Sequence, residues 1–366
     1  METRPEISVI IPIYNAELFI AQCLDSILMQ DVKDIEIVCV NDNSTDKTLS
    51  ILEDYSKKDE RITIITNNRN LRAGGSRNQG LKIAKGKYIH FMDADDYLTP
   101  DAYKELVSKA MQYNVDLLKA KAYAVQTQTG EIVCNEWYNL DVLEKEDFNI
   151  VTSFKLIPQK FMKVAVTPWS GIYKRDFLLK NKIEFNDLIC VNDRSFFNKV
   201  IINTERVMFL DQYFIYHRIE NPGSLSSIRA RNFYCHFASY NIVKEQVADL
   251  SDQEKYYVLE AEIQDVFAWY RKYQREKVLG KHISYQTKQF IEELDLSDFG
   301  NKLKNCSWYD DYIKLIKSDG KKPQFLKFYF LFRKISGFFR CIRQHGIKYT
   351  LHLILRKSHI LRKAKG

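Results

Sequence analysis

Short apolar runs alternate with helical patterns near the start of the chain, and this alternation is the feature that most limits the fold. Residues 7–14 and 35–40 are nearly all apolar, as expected for strands buried on both faces of a parallel sheet, and residues 62–66 form a third predicted strand. Residues 16–30 and 48–58, which separate these runs, carry apolar side chains at helical spacing. This order predicts a doubly wound α/β sheet, whose right-handed crossovers bring the carboxyl ends of its strands to one edge.

Polar side chains come directly after these predicted strands. Asn15 follows the first strand and Asp42 follows the second, while a further apolar run, residues 88–92, ends at Asp93-Ala94-Asp95-Asp96. Open α/β sheets bind ligands at this edge, and carboxylates spaced as Asp-x-Asp suit a hard cation with oxygen ligands. A solvated acidic loop that precedes a helix is the alternative.

The segment at residues 67–80 is rich in glycine and basic residues and leads into a predicted helix at residues 81–84. Gly74 and Gly75 allow close backbone approach, and Arg72 and Arg77 near a helix N-terminus favour an anion. The segment matches neither a P-loop nor a dinucleotide-binding glycine fingerprint. It predicts a phosphate or nucleotide contact, with a flexible loop before the helix as the alternative.

Four motifs in a fixed order resemble the nucleotide-sugar half of the family 2 glycosyltransferases, which have the GT-A fold. They are Val9-Ile10-Ile11-Pro12-Ile13-Tyr14-Asn15, Val40-Asn41-Asp42-Asn43-Ser44-Thr45-Asp46, Ser76-Arg77-Asn78-Gln79-Gly80 and Asp93-Ala94-Asp95-Asp96. The resemblance covers the chain up to about residue 100. Two departures are Arg72, where the family often has Gly, and Ser76, which replaces an Ala.

The resemblance implies a role for each of these residues. A nucleotide-sugar would contact Pro12, Tyr14, Asn15, Asp42, Arg77, Asp93, Ala94 and Arg218. A divalent cation, Mn²⁺ or Mg²⁺, would be held by Asp95, Asp93 and His217. Such a cation neutralises the charge that develops on the leaving nucleoside diphosphate.

A later segment, residues 183–200, resembles the family's Glu-Asp-x-x-Phe motif, with Asn192 in place of the Glu. The resemblance makes Asp193 the general base that deprotonates the acceptor hydroxyl as this oxygen attacks the sugar, which inverts the anomeric centre. Asp187 is the second candidate for the base, and a carboxylate at a helix N-terminus is the alternative role for Asp193. Trp169 is interpreted either as a stacking surface for an acceptor sugar or as a core residue.

The charge distribution sets the end of the chain apart. The formal net charge is +8, and the only acid after Lys317 is Asp319. Aromatic and basic residues interleave in residues 325–340, which predicts basic amphipathic helices on an anionic membrane, with helix packing or an oligomer contact as the alternative. The predicted domains are a catalytic domain at residues 1–230, a helical region at 231–316 and a basic membrane-associating tail at 317–366.

The remaining composition bears on partners and location. Seven scattered cysteines without a Cys-x-x-Cys spacing argue against zinc and redox motifs and fit a reducing compartment. The N-terminus lacks a signal-peptide pattern, and no apolar run in the sequence is long enough to span a bilayer. No recognised nucleic-acid-binding fold accompanies the basic tail. We expect a cytoplasmic protein, peripheral to the inner face of the cell membrane, without a nucleic-acid partner.

Three functions fit these patterns. The first is an inverting glycosyltransferase that moves a sugar from a nucleotide donor, most simply a UDP-sugar, to a glycan or lipid-linked acceptor in bacterial surface-polysaccharide synthesis. The second is a non-catalytic nucleotide-sugar-binding scaffold, and the third is a nucleotidyltransferase that makes the activated sugar. The set of Asp42, Asp95 and Asp193 argues against the scaffold. The lack of a glycine-rich, lysine-bearing loop near the first strand argues against the nucleotidyltransferase.

Overall fold

The computed structural model describes residues 4–32, 34–133, 140–219, 228–276 and 278–317. The chain divides into two compact units, Met1–Cys306 and Ser307–Gly366. In the second unit the described residues form one helix, α11 (Tyr309–Lys317). The predicted tail after residue 317 lies outside the described residues, and the predicted domain ends at residues 230 and 316 stay predictions.

Within the described residues, ten strands form one mixed sheet. The strands are β1 (Ile7–Ile13), β2 (Ile35–Asn41), β3 (Ile62–Thr66), β4 (Tyr88–Phe91), β5 (Tyr97–Leu98), β6 (Leu117–Gln126), β7 (Ile132–Val133), β8 (Val151–Thr152), β9 (Gly171–Lys174) and β10 (Val207–Ile219). Their order across the sheet is β3-β2-β1-β4-β9-β6-β10-β5, with β7 beside β6 and β8 beside β10.

The first four strands form the parallel half of the sheet. β1 pairs in parallel with β2 and β4, and β2 pairs in parallel with β3. All seven residues of β1 are buried, because helices cover both faces. β9 is antiparallel to both of its neighbours, β4 and β6, while β6 and β10 are parallel. This arrangement confirms the predicted α/β class and the mixed, doubly wound sheet.

The helices of the first unit follow the strands in alternation and then dominate the later part. They are α1 (Ile20–Leu28), α2 (Thr48–Lys58), α3 (Arg72–Ile83), α4 (Ala102–Gln112), α5 (Pro158–Phe161), α6 (Arg175–Lys180), α7 (Asn192–Asn203), α8 (Tyr234–Gln246), α9 (Asp252–Tyr273) and α10 (Gly280–Glu293). Among the described helices, none is long and apolar enough to cross a membrane.

The glycine-rich segment after β3 is mostly helical, which corrects the predicted loop at residues 67–80. α3 begins at Arg72, and its glycines serve close packing. A Cβ on Gly80 would lie 2.3 Å from Cγ2 of Ile10, and one on Gly74 would lie 2.8 Å from the carbonyl oxygen of Asn186. Local helix propensity is poor at glycine, but burial against β1 and the segment at residue 186 outweighs it.

The helical region predicted from residue 231 begins with two helices, α8 and α9. Ser251 begins the second with a capping box: its side chain accepts from the N–H of Glu254, whose carboxylate in turn accepts from the N–H of Ser251. This reciprocal pair satisfies N–H groups that a helix start leaves without partners.

Candidate active site

The turns after β1 and β2 are tied to each other at the carboxyl edge of the sheet. Asn15 follows β1 with a left-handed backbone, φ 49°. Its Oδ1 accepts a hydrogen bond from the N–H of Thr45 at 2.8 Å, and its own N–H donates to Oγ of Ser44 at 3.1 Å. Tyr14 is 52% exposed at this edge, whereas Pro12 is buried within β1. Tyr14 and Asn15, two of the predicted contacts of the nucleotide-sugar, therefore face solvent.

Asp42 links the end of β2 to the start of α3. Its carboxylate is buried, and Oδ1 accepts from Nδ2 of Asn67 at 2.8 Å and from the N–H of Leu71 at 2.7 Å. Asn67 also donates to Oγ of Ser76 at 3.0 Å. Asp42 thus fixes where α3 begins, a structural role that the motif does not reveal. Its predicted contact with the nucleotide-sugar stays a prediction.

Arg77 of α3 pairs with the first aspartate of the acidic motif. Nη2 of Arg77 donates to Oδ1 of Asp93 at 2.6 Å, and the two side chains are 5% and 28% exposed. The guanidinium carbon lies 5.1 Å from the centroid of the Phe185 ring. Nε of Arg77 is buried and has no hydrogen-bond partner within the described residues. A buried donor left unsatisfied in this way suits an anionic ligand at the edge.

The last aspartate of the motif, Asp96, is fully buried and binds β10. Its carboxylate contacts Nδ1 of His217 at 2.9 and 3.0 Å and accepts from the N–H of Arg218 at 2.9 Å. Ala94 is buried, while Asp95 is only partly buried. The motif is therefore split, with its first and last carboxylates engaged by Arg77 and His217.

The Asp96 and His217 side chains form a buried ion pair. Burial raises the pKa of the Asp96 carboxyl. Burial also acts to lower the pKa of His217, but the Asp96 carboxylate outweighs it and raises this pKa to about 9. The His217 imidazole therefore retains its proton at neutral pH in this pair. Removing either partner leaves the other charge buried and uncompensated.

The Arg218 guanidinium lies on the aromatic side of this edge. Its carbon is 4.8 Å from the centroid of the Tyr97 ring and 5.3 Å from that of Phe19. Nη2 donates to Oε1 of Gln22 on α1. Contacts with α1 and β5 thus hold Arg218 close to the Asp96–His217 pair.

Trp169 is a core residue of this site. It is 4% exposed, and its ring stacks on His217 at a centroid distance of 4.4 Å and an interplanar angle of 18°. Its carbonyl accepts from Nε2 of the buried His90 at 2.8 Å, so Nδ1 of His90 accepts from the Tyr103 hydroxyl. This geometry favours the core role considered for Trp169 over the stacking surface for an acceptor sugar.

Lys119 holds the same turn from the other side. Its Nζ is buried and donates to the carbonyl of Thr167 at 3.0 Å and to Oγ of Ser170 at 2.7 Å. These partners are uncharged, and burial lowers the pKa of Lys119 to about 7. The motifs do not reveal this residue; a lysine within an apolar strand is its only local sign.

Lys119 makes the stability of the protein depend on pH. The unfolded chain keeps this proton to about pH 10.4, whereas the folded chain releases it near pH 7, so stability rises with pH between these values. We expect the unfolding free energy of wild type, minus that of Lys119→Met, to increase by about 1.4 kcal/mol per pH unit from about pH 7.5 to 9.5. Chemical denaturation at both pH values measures it, and a constant difference would contradict the burial of a titrating lysine.

The predicted base, Asp193, lies in the first turn of α7. Its Oδ1 accepts from the N–H of Arg194 at 3.1 Å, so it also serves the helix terminus. Val191, just before the helix, has φ 64°, which is unusual for a β-branched residue. Burial raises the pKa of the Tyr173 hydroxyl, with Arg77 opposing the shift and Asp193 adding to it.

The segment before α7 is joined to α3, which carries Arg77. Asn78 donates from Nδ2 to the carbonyl of Phe185 at 2.8 Å and accepts from the N–H of Phe185 at 2.9 Å. A Cβ on Gly74 would also lie 3.1 Å from Nδ2 of Asn192. These contacts bring the predicted base and the predicted donor residues to one region, while Asp187 is exposed.

The acids and the imidazole do not form a preassembled metal centre. Within the described ranges, no group of three or more His, Cys, Asp or Glu side chains is arranged to hold a metal ion. The donor types nevertheless fit a cation that takes few protein ligands. Asp95 offers carboxylate oxygen, and Nδ1 of His217 faces Asp96, as in imidazoles whose other nitrogen binds a metal.

Comparison with known proteins identifies the family. The family model described as "Glycosyl transferase family 2" matches residues 8–168. An uncharacterized glycosyltransferase of Methanocaldococcus jannaschii is 31% identical over 240 residues, which are 64% of this chain and 78% of the relative. This chain belongs to glycosyl transferase family 2, as its motifs predicted.

Other relatives extend well beyond the region that they share with this chain. A poly(ribitol-phosphate) beta-glucosyltransferase of Bacillus spizizenii is 32% identical over 238 residues, which are 63% of this chain and 35% of that protein. The chain spans between 32% and 64% of the length of several curated relatives that it matches.

The fold is also found in a solved structure. The crystal structure of Staphylococcus aureus TarS 1-349 in complex with UDP-GlcNAc has a TM-score of 0.65 and 24% identity to this chain. The match covers 80% of this chain and 82% of that one. The likeness confirms the predicted glycosyltransferase fold.

Proposed function

We propose that this chain is an inverting glycosyltransferase that uses a nucleotide-sugar donor, with a UDP-sugar as the first candidate. The observation that carries the proposal is the Arg77–Asp93 pair at the carboxyl edge of the sheet, with the segment that leads into α7 and the predicted base Asp193 packed against α3. Family membership supports the reaction class. The TarS complex with UDP-GlcNAc supports the choice of donor.

The proposed reaction is a single displacement. Asp193 takes the proton from an acceptor hydroxyl while that oxygen forms a bond to C1 of the donor sugar. The bond from C1 to the diphosphate oxygen breaks on the opposite face, and the nucleoside diphosphate leaves with the electron pair. In this proposal Arg77 and Arg218 balance the diphosphate charge, and Tyr14 and Asn15 contact the base and ribose.

A bound Mn²⁺ or Mg²⁺ supplies charge neutralisation at the leaving diphosphate. We assign its protein ligands to Asp95 and to Nε2 of His217, which would have to give up the proton that it holds in the pair with Asp96. Asp93 remains a candidate ligand, although its Oδ1 already binds Arg77. The role of Asp96 in this proposal is to hold the His217 ring from Nδ1.

The proposed acceptor is a glycan or lipid-linked molecule in the synthesis of a bacterial surface polysaccharide. The name of the Bacillus spizizenii relative supports a cell-surface polymer as acceptor. The sequence of the basic, aromatic tail supports a reaction at the inner face of the cell membrane.

The experiment that tests this function is nucleoside diphosphate release from a panel of UDP-, GDP- and dTDP-sugars with Mn²⁺, Mg²⁺ or EDTA. Metal-dependent release from one donor would support a transferase and identify its sugar. Calorimetric titration of the same donors accompanies it, because a transferase without its acceptor can bind a donor and release little product. Neither release nor binding with any donor would contradict the proposal.

The tail gives a separate prediction about the membrane. We expect the full chain to sediment with vesicles that contain anionic lipid, and a chain ending before Phe325 to stay in the supernatant. Each lysine or arginine near an anionic surface contributes about 1 kcal/mol, so removing many of them abolishes binding. Zwitterionic vesicles are the control, and equal sedimentation of both chains with anionic vesicles would reject a membrane role for the tail.

A further inference from the structure

A buried cluster of charges joins α7 to the helices that follow the sheet. Arg194 donates from Nε to both carboxylate oxygens of Glu262 at 3.0 Å and from Nη2 to Oε1 at 2.8 Å. Nη1 of Arg194 lies 3.1 Å from Oδ1 of Asp265. The Arg194 side chain is 15% exposed and that of Glu262 is 3% exposed. A forked guanidinium between two carboxylates fixes orientation as well as distance.

Neighbouring residues hold both carboxylates in place. Asn198, one turn further along α7, donates from Nδ2 to Oε1 of Glu262 at 2.9 Å. His236 of α8 lies 2.9 Å from Oδ2 of Asp265 through Nδ1. Burial acts to raise the pKa of Asp265, but Arg194 and His236 hold it below its ordinary value. The cluster therefore joins α7, α8 and α9.

We propose that Arg194 and Glu262 are positioning residues that set the direction of the Asp193 side chain. This inference rests on the proposed role of Asp193 as the base. Consecutive residues of an α-helix point about 100° apart, so Asp193 points away from α9, which Arg194 contacts through Glu262. Holding the Arg194 fork consequently fixes the rotation of the first turn of α7.

Small rotations are enough to matter at the base. A side-chain tip lies about 5–6 Å from a helix axis, so a rotation of about 10° moves it by about 1 Å. A displacement of about 1 Å at a reacting group can lower a rate by about 10²-fold. Donor binding depends on the turns after β1, β2 and β4, which this rotation leaves in place.

Two substitutions test the inference. Glu262→Gln keeps the shape of the side chain and removes its charge, and Arg194→Lys keeps the charge and removes the fork. We expect kcat for sugar transfer to fall by about 10- to 100-fold in both variants, with the KM for the donor within about twofold of wild type. Thermal unfolding reports whether each variant folds, and if Glu262→Gln does not, Arg194→Lys decides.

Asp298→Asn is the matched control, because it removes an ion pair with Lys244 at 3.1 Å in the same helical region without touching α7. Its kcat should equal that of wild type. Wild-type kcat in a folded Glu262→Gln or Arg194→Lys variant would overturn the inference, as would an equal loss in the control. If wild type itself transfers no sugar and binds no donor, the proposed function fails instead.

Discussion

We expect the Asp193→Asn variant to lose sugar transfer while it still binds the nucleotide-sugar donor. A positioned general base contributes about 10²- to 10⁴-fold to a rate, so kcat should fall within that range. The amide is nearly the same size as the carboxylate and can still accept the hydrogen bond from the N–H of Arg194, so α7 should form normally. Transfer assays give kcat, and calorimetry with the donor gives its Kd.

Asp187→Asn separates the two candidate bases in the same segment. Asp187 is exposed, whereas Asp193 lies in the first turn of α7 near Tyr173. We expect Asp187→Asn to transfer at the wild-type rate. Full transfer by Asp193→Asn together with loss in Asp187→Asn would reassign the base, and full transfer by both would reject a carboxylate base in this segment.

The second large effect is expected at Asp95. If Asp95 ligates the cation that neutralises the leaving diphosphate, Asp95→Asn removes several kcal/mol of transition-state stabilisation, or about 10³-fold in kcat/KM. The same variant should show weaker donor binding in the presence of Mn²⁺ and little change in EDTA. Calorimetry with and without EDTA measures this difference independently of turnover.

Asp101→Asn is the control for this substitution. Asp101 is exposed, directly precedes α4 and has a left-handed backbone, φ 56°, that asparagine adopts readily. We expect wild-type kcat/KM and wild-type response to Mn²⁺. Metal-dependent turnover that survives in Asp95→Asn at the wild-type level would remove Asp95 from the proposed ligands.

The parallel half of the fold could be predicted because its signals are local. The apolar runs at β1 and β2 are buried strands, the run at β3 is an edge strand in which only Ile62 is buried, and α2 has its predicted bounds, Thr48–Lys58. Helix propensity misled the prediction for α3, where glycines that look like a loop are required by contact with Ile10 and Asn186. Such contacts depend on residues distant in sequence, and no local pattern encodes them.

The motifs name residues of the candidate site but not the contacts between them. The motifs name Asp93 and His217, yet they do not indicate that Arg77 pairs with Asp93 or that Asp96 is buried against His217. They also miss Arg194 and Glu262, which lie 68 residues apart. One contact outside the site does have a local sequence signature: the Ser251-x-x-Glu254 pattern marks the start of α9.

The link between Asp96 and β10 has a consequence for the order of events during synthesis. His217 follows Asp96 by 121 residues, which takes about 6–24 s at typical translation rates. Until then the Asp96 carboxylate lacks this partner, and burying it without one costs several kcal/mol. We expect the nascent chain to keep this loop hydrated until β10 joins β5 and β6. A ribosome stalled between β6 and β10 would therefore present β6 without its parallel neighbour, an open sheet edge that chaperones could bind.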